Sequence, residues 1–279
     1  MSAEGPPCVE AAGARIPALG CGTWELRGET CAAVVSRALT VGYRHIDTAQ
    51  GYDNERAVGE GIRRAGVPRQ ELFITTKVRP QLVSDGALQT SAEESLDRLG
   101  LDYVDLLLIH WPNPAVSTLE MMTALSDAKR RGLTRNIGVS NFTTSRLEEA
   151  RTVSPEPIAA NQIEYHPYLD QTKLIGAVRR HGMAIIAYCP IALGQVAADP
   201  VLQSIGKEHG RTAAQVALRW LIQQEGVCAI PRTSRSGRLK ENLDVFSFAL
   251  SKEEMDRIGQ LKRPNSRLIN EPGWVPGWD

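Results

Sequence analysis

The chain has 279 residues, 42% of them hydrophobic, with 32 Lys and Arg against 32 Asp and Glu. That length suits one large α/β barrel or two smaller domains, and the apolar share is enough for a full core. Balanced charge gives no overall pull toward nucleic acid or a membrane surface, and no apolar run is long enough to span a bilayer. Cys8, Cys21, Cys31, Cys189 and Cys228 are odd in number, scattered and never in C-x-x-C spacing. A disulfide framework or a metal site is therefore not expected, and reduced thiols point to the cytoplasm. No basic stretch followed by an apolar one opens the chain, so no signal peptide is expected.

The pattern begins with residues 8–10 and 14–17 flanking Ala12-Gly13, a candidate hairpin. Short apolar runs then predict strands over 18–22, 45–48, 72–77, 104–110, 136–140, 159–164, 184–189 and 227–231. Amphipathic runs between them predict helices over 32–41, 55–65, 87–99, 119–131, 145–152, 172–181 and 213–224. Gly42, Gly132 and Gly182 stand where three of these helices should stop. An extra helix over 200–209 opens with Pro200, which suits a first turn. The tail from Arg263 is rich in Pro, Gly, Asn and Trp and reads as a loop. Alternating strands and helices in this number are what a (β/α)8 barrel needs, with the hairpin as a cap on its bottom. Without a linker or repeat, residues 1–279 are expected to form one domain.

Asp47, Tyr52, Lys77 and His110 each lie at or just after a predicted strand end. In a parallel barrel those ends meet at one face, where such enzymes keep their chemistry. A carboxylate, a phenol, an amine and an imidazole gathered there would form a general acid able to protonate a carbonyl oxygen. Taken singly, Tyr52 could be a turn residue, Lys77 a solvated strand end, His110 a core histidine and Asp47 a helix cap. The other histidines read as structural: His45 on the face of Asp47, and His166, His181 and His209 in loops or on the surface. Trp24 and Trp111 follow strand ends and read as pocket walls. Trp274 and Trp278 could line the pocket or anchor the tail on the rim. Arg79 could favour an anionic substrate or be solvated.

Six segments in order make the chain resemble the aldo-keto reductases. They are Leu19-Gly20-Cys21-Gly22-Thr23-Trp24, the stretch 42–52, Asp102-Tyr103-Val104-Asp105-Leu106-Leu107-Leu108-Ile109-His110-Trp111-Pro112, the stretch 138–142, Asn161-Gln162-Ile163-Glu164 and the stretch 230–242. The short chain and its Trp-Asp ending are most similar to the bacterial 2,5-diketo-D-gluconate reductases of the B type.

The resemblance implies a TIM barrel with a C-terminal loop over the active-site face, and NADPH-dependent reduction of carbonyls. Tyr52 would be the general acid, its pKa lowered by Lys77. Asp47 would hold Lys77, and His110 would orient the carbonyl. Ser140, Asn141 and Gln162 match the positions that bind the nicotinamide carboxamide, Tyr188 the ring it stacks on. Gly22, Thr23, Asp47, Cys189 and Ile191 would add cofactor contacts, although the segment 189–194 departs from the family's shorter Ser-Pro-Leu-Gly form. Arg232, Thr233, Ser234, Arg238, Glu241 and Asn242 match the segment that holds the adenosine 2′-phosphate and adenine. Arg232 replaces the usual Lys there, which leaves NADH activity open. No Rossmann fingerprint is present, since Gly20-Cys21-Gly22 lacks a third glycine in register.

The expected substrates are small or aromatic aldehydes and α-ketoaldehydes such as methylglyoxal, with diketo sugar acids as a further class. Trp24, Tyr52, His110, Trp111 and Trp274 would contact them. No nucleic acid, membrane or metal is expected as partner, and the chain is expected to be a monomer. The alternative is a non-catalytic NADPH-binding sensor or regulatory subunit.

Overall fold

Residues 6–279 are described by a computed structural model. Strands β1 (Cys8–Ala11) and β2 (Ala14–Pro17) form an antiparallel hairpin. Eight parallel strands follow: β3 (Cys21–Gly22), β4 (His45–Asp47), β5 (Phe73–Val78), β6 (Val104–Ile109), β7 (Thr134–Ser140), β8 (Ile158–Glu164), β9 (Ala184–Tyr188) and β10 (Val227–Ala229). Each pairs with the next in sequence. The Gly20 N–H donates to Ala229 O at 2.9 Å, the Ala229 N–H to Ala18 O at 2.9 Å and the Gly22 N–H to Pro231 O at 3.1 Å, which closes the barrel.

Helices α1 (Gly28–Val41), α2 (Glu55–Ala65), α3 (Ala87–Leu99), α4 (Thr118–Arg130), α5 (Thr144–Val153), α6 (Thr172–Arg180), α7 (Pro200–His209), α8 (Ala213–Ile222), α9 (Ser236–Leu243) and α10 (Lys252–Gly259) complete the (β/α)8 architecture. Local chemistry sets their ends. Asp199 caps α7 ahead of Pro200 by accepting from Val201 and Leu202, and Thr212 forms a capping box with Gln215 on α8. Gly42 stops α1 at φ 116°, a conformation that side chains with a Cβ disfavour. The helix α10 was not among the expected elements. Its signal was present, because Ser251 and Glu254 form a reciprocal capping box. The expected strands over 18–22 and 227–231 are shorter than read, since their outer residues join the barrel seam through single bridges.

Period-two alternation sorts the strand residues into two cores. Ile74, Leu107, Ile109, Ile185 and Ala187 face the helices. Phe73, Leu106, Leu108, Ala160, Ala184 and Ile186 fill the lumen, and Ala11, Ala14 and Ile16 of the hairpin plug it from below. The same alternation carries the inward face to Asp47, Lys77, His110, Ser140, Gln162 and Tyr188 at the upper strand ends.

Close helix packing depends on Gly59 in α2, where a Cβ would stand 2.2 Å from the Leu99 carbonyl oxygen at the end of α3. Gly59→Ala should therefore cost about 1–3 kcal/mol through overpacking. Thermal unfolding monitored by circular dichroism checks this, and an unchanged midpoint would show that the two helices can separate freely. No helix among the described residues is long and apolar enough to cross a membrane.

Candidate active site

Tyr52 ends a 3₁₀ turn (Gln50–Tyr52) that follows β4. Gln50 pins this turn: its amide donates to Ser91 O and Ser95 Oγ, and its Oε1 accepts the Arg79 N–H. Asn54, also buried, donates to Thr23 O and Leu26 O and accepts from Thr48 Oγ1, tying the turn to the loop after β3. The phenol is thereby held against β5. Lys77 Nζ donates to Asp47 Oδ1 at 2.5 Å, to Thr48 O at 2.7 Å and to Tyr52 Oη at 3.3 Å. Three acceptors use all three ammonium hydrogens. Because Lys77 donates to the phenol oxygen, the hydroxyl hydrogen of Tyr52 stays free to be given elsewhere. Gln162 Nε2 donates to the other Asp47 oxygen at 2.7 Å, fixing the carboxylate from the far side. His110 meets Tyr52 edge to face, with ring centroids 5.6 Å apart.

Burial governs the ionisation of this group. It pulls Lys77 below its ordinary value, against the opposing pull of Asp47. It also drives His110 well below the usual imidazole range, with Lys77 and Arg79 adding to the effect, so the ring is neutral and can donate a hydrogen bond without being an acid. Tyr52 is raised well above its ordinary value by burial and then by Asp47. Burial and Asp47 thus oppose the lowering expected from Lys77 beside the phenol.

A cleft of about 730 Å³ opens over these side chains. Gly22, Thr23, Trp24, Asp47, Tyr52, His110, Trp111, Ser140, Asn141, Gln162, Tyr188, Cys189, Ile191, Arg232, Arg238 and Trp274 all line it. Asn141 sits at φ 62°, within the left-handed region that Asn tolerates. Its amide donates to His110 O and Ser140 Oγ, and Tyr188 Oη donates to its Oδ1 at 2.8 Å. Asn141 thus joins β6, β7 and β9 at the cleft floor. On one rim Arg232 pairs with Glu25 and donates to Trp24 O. On the segment 189–194, Cys189, Ala192 and Leu193 all have φ near +50°. The tail crosses the opposite side, where Leu268 and Ile269 donate their N–H groups to Glu164 at 2.7 and 2.9 Å.

The family profile described as Aldo/keto reductase family matches residues 18–263. The chain belongs to the aldo/keto reductase family. It is 45% identical over 267 residues to methylglyoxal reductase DkgB of Salmonella typhi, covering 95% of this chain and 99% of that one. It is 42% identical over 260 residues to an aldo-keto reductase of Mycobacterium avium (strain 104), covering 93% and 90%. Among solved structures, it superposes with a TM-score of 0.96 on a chain provisionally named a 2,5-diketo-D-gluconic acid reductase B, at 48% identity and 98% coverage of both. It superposes at 0.89 on the aldo-keto reductase of Bombyx mori in complex with NADP, at 33% identity, covering 97% and 96%. Membership makes this chain an oxidoreductase of the aldo-keto reductase type.

Not every residue singled out from the sequence reaches the cleft of this aldo-keto reductase. Lys77 lies fully buried behind Tyr52 and is not part of the cleft wall. Thr233 turns its hydroxyl to the Arg235 N–H, and Glu241 turns to Thr212 on α8. Ser234 and Asn242 are likewise absent from the cleft wall. The two tail tryptophans divide: Trp274 lines the cleft, whereas Trp278 packs behind Trp111 at 6.1 Å with Arg267 over its ring at 3.5 Å. Arg79 lines the cleft too, but its charge is engaged by Asp53. His166, expected on a loop or the surface, is in a loop yet fully buried, because it donates to the buried Glu164. His45 is in the lumen against Phe73, where burial lowers its pKa to about 4. Sequence reasoning missed Gln50, Asn54, Ile230, Ile269 and Glu271. The parity of Ile230 with Cys228 was a usable signal; the others are set by loops.

Proposed function

We propose that this chain reduces small and aromatic aldehydes, α-ketoaldehydes such as methylglyoxal and diketo sugar acids to alcohols with NADPH, as one domain acting as a monomer in the cytoplasm. The observation that carries the reading is the chain of contacts from Gln162 through Asp47 and Lys77 to Tyr52, with a free phenol hydrogen and a neutral imidazole at the same point of the cleft. The residues present suit NADPH. Among the described residues, Gln162 Oε1 accepts no hydrogen bond and the Arg238 guanidinium makes none, so an amide and a phosphate each find an unused partner in the cleft wall. Ser140, Asn141 and Gln162 would hold the carboxamide, Tyr188 the ring, and Arg232 and Arg238 the 2′-phosphate. When bound, the cofactor supplies the hydride, which no side chain can donate.

The protein's own part is proton delivery. A carbonyl oxygen placed between Tyr52 Oη and His110 accepts a hydrogen bond from each. As charge develops on that oxygen, Tyr52 gives up its proton, and the phenolate left behind faces the Lys77 ammonium. The raised phenol pKa keeps the acid loaded, and the ammonium stabilises the product of its ionisation.

The direct test follows NADPH oxidation spectroscopically with methylglyoxal, a nitrobenzaldehyde and 2,5-diketo-D-gluconate, repeated with NADH. Turnover with NADPH far above NADH supports the reading. Tight NADPH binding without turnover of any of them would leave the sensor alternative instead. Arg238→Ala should weaken NADPH binding by about 10–100-fold, the loss of a charge-assisted contact, while NADH binding barely moves. Fluorescence titration with both cofactors checks this, and equal losses for the two would remove Arg238 from the 2′-phosphate site.

A further inference from the structure

Glu164 is a fully buried carboxylate outside the proton-delivery group. A buried charge is costly unless hydrogen bonds replace its water. Three N–H groups do so here. His166 Nε2 lies 3.0 Å from Oε1. His166 Nδ1 accepts the Tyr168 N–H at 3.3 Å, which leaves the ring hydrogen on Nε2 to donate to Glu164. The other two donors are the Leu268 and Ile269 backbone N–H groups, at 2.7 Å to Oε1 and 2.9 Å to Oε2. Two of three partners thus come from the tail, more than a hundred residues along the chain. If the tail lifts, the charge keeps only His166.

The tail carries part of the cleft wall. Ile269, which carries one of the two clasped amides, lines it, as do Glu271 and Trp274 just beyond. Glu164 also shares the inward face of β8 with Gln162, which holds Asp47, and pairs in register with Tyr188 on β9. We propose that Glu164 is a positioning residue: its carboxylate docks the C-terminal tail by its backbone, and so shapes the wall against which the carbonyl substrate's far end rests. A backbone clasp is indifferent to the side chains it carries. The wall residues at 269, 271 and 274 can therefore vary in kind while their place stays the same.

This rests on the reductase reading, and the test separates the two. In the full-length protein, Glu164→Gln keeps the shape but turns an amide toward one of the tail N–H groups. KM for a nitrobenzaldehyde should rise about tenfold, with kcat within about twofold and the NADPH dissociation constant unchanged. Trypsin should cut after Lys262 or Arg267 about tenfold faster than in the parent chain, a readout independent of turnover. Ile269→Pro removes one clasped N–H and should reproduce both effects, beyond what the control Ile269→Ala produces by changing the same cleft-lining side chain while keeping the N–H. The two changes combined should do little more than either alone. An unchanged tryptic rate in both variants would overturn the clasp. Additive effects, or an NADPH constant that rises in step with KM, would overturn the assignment to the substrate wall. Failure of all variants and the parent to turn over, with the tryptic effect intact, would count against the reductase reading alone.

Discussion

Tyr52→Phe is expected to lower carbonyl reduction about a thousandfold, in the range that a positioned general acid supplies. Phe keeps the ring that meets His110 edge to face and removes only the hydroxyl. The Lys77 ammonium then loses one of three acceptors but keeps Asp47 and Thr48, so the fold should survive. NADPH binding should be almost unaffected, because its proposed partners lie on β7, β8, β9 and the segment after β10. Single-turnover kinetics beside a fluorescence titration separate the two. A variant keeping most of its turnover would remove Tyr52 from the acid role. Another donor in the cleft, of which His110 is the nearest, would then have to be sought.

Lys77→Met should have the second largest effect, and it should reach stability as well as rate. Lys77 and Asp47 are both essentially buried, with side chains 0% and 2% exposed. Removing the ammonium leaves a carboxylate with Gln162 as its side-chain partner, and breaking a buried pair from one side costs about 3–5 kcal/mol. For a protein of this size that lowers the unfolding midpoint by roughly 10 °C. Adding Asp47→Asn should recover much of that loss, because no uncompensated charge then remains. It should not recover turnover, since the phenolate still has no ammonium beside it. Calorimetry of the single and double variants, alongside their kcat, checks both halves. Rescue of activity by the second change would show that Lys77 matters only for folding.

These expectations rest on residues of unequal legibility. Asp47, Lys77 and His110 were readable because a parallel barrel brings its upper strand ends together, whereas Gln162 and Tyr188, in the same inward phase, were pointed to by the resemblance. A residue near a strand end and in phase with the lumen can arrive only at that face. Tyr52 is not on a strand. Its place depends on a turn held by Gln50 and Asn54, whose partners are scattered from Thr23 to Ser95. Its position just after a predicted strand end pointed to the right face, and the resemblance supplied its role. The cofactor-end residues Thr233 and Glu241 matched a motif but turn to Arg235 and Thr212, because local turn and helix contacts claim their side chains.

The ionisation of the site was the least legible. Reading Lys77 beside Tyr52 gave the sign of one electrostatic interaction, yet the direction of the phenol's shift depends on how much water the fold excludes. The burial of His166 in its loop was not legible for a related reason. Nothing local to Glu164-Tyr165-His166 tells that a tail beyond residue 260 returns to cover it. By itself, the sequence determined the alternation of strands and helices, the inward phase of each strand and the kinds of group offered at one face. Those follow from short-range periodicity and from residue chemistry. Only the tertiary structure decided which donor meets which acceptor, which charges lose their water and which tryptophan faces the cleft. Hydrogen-bond geometry and desolvation depend on neighbours far apart in the chain.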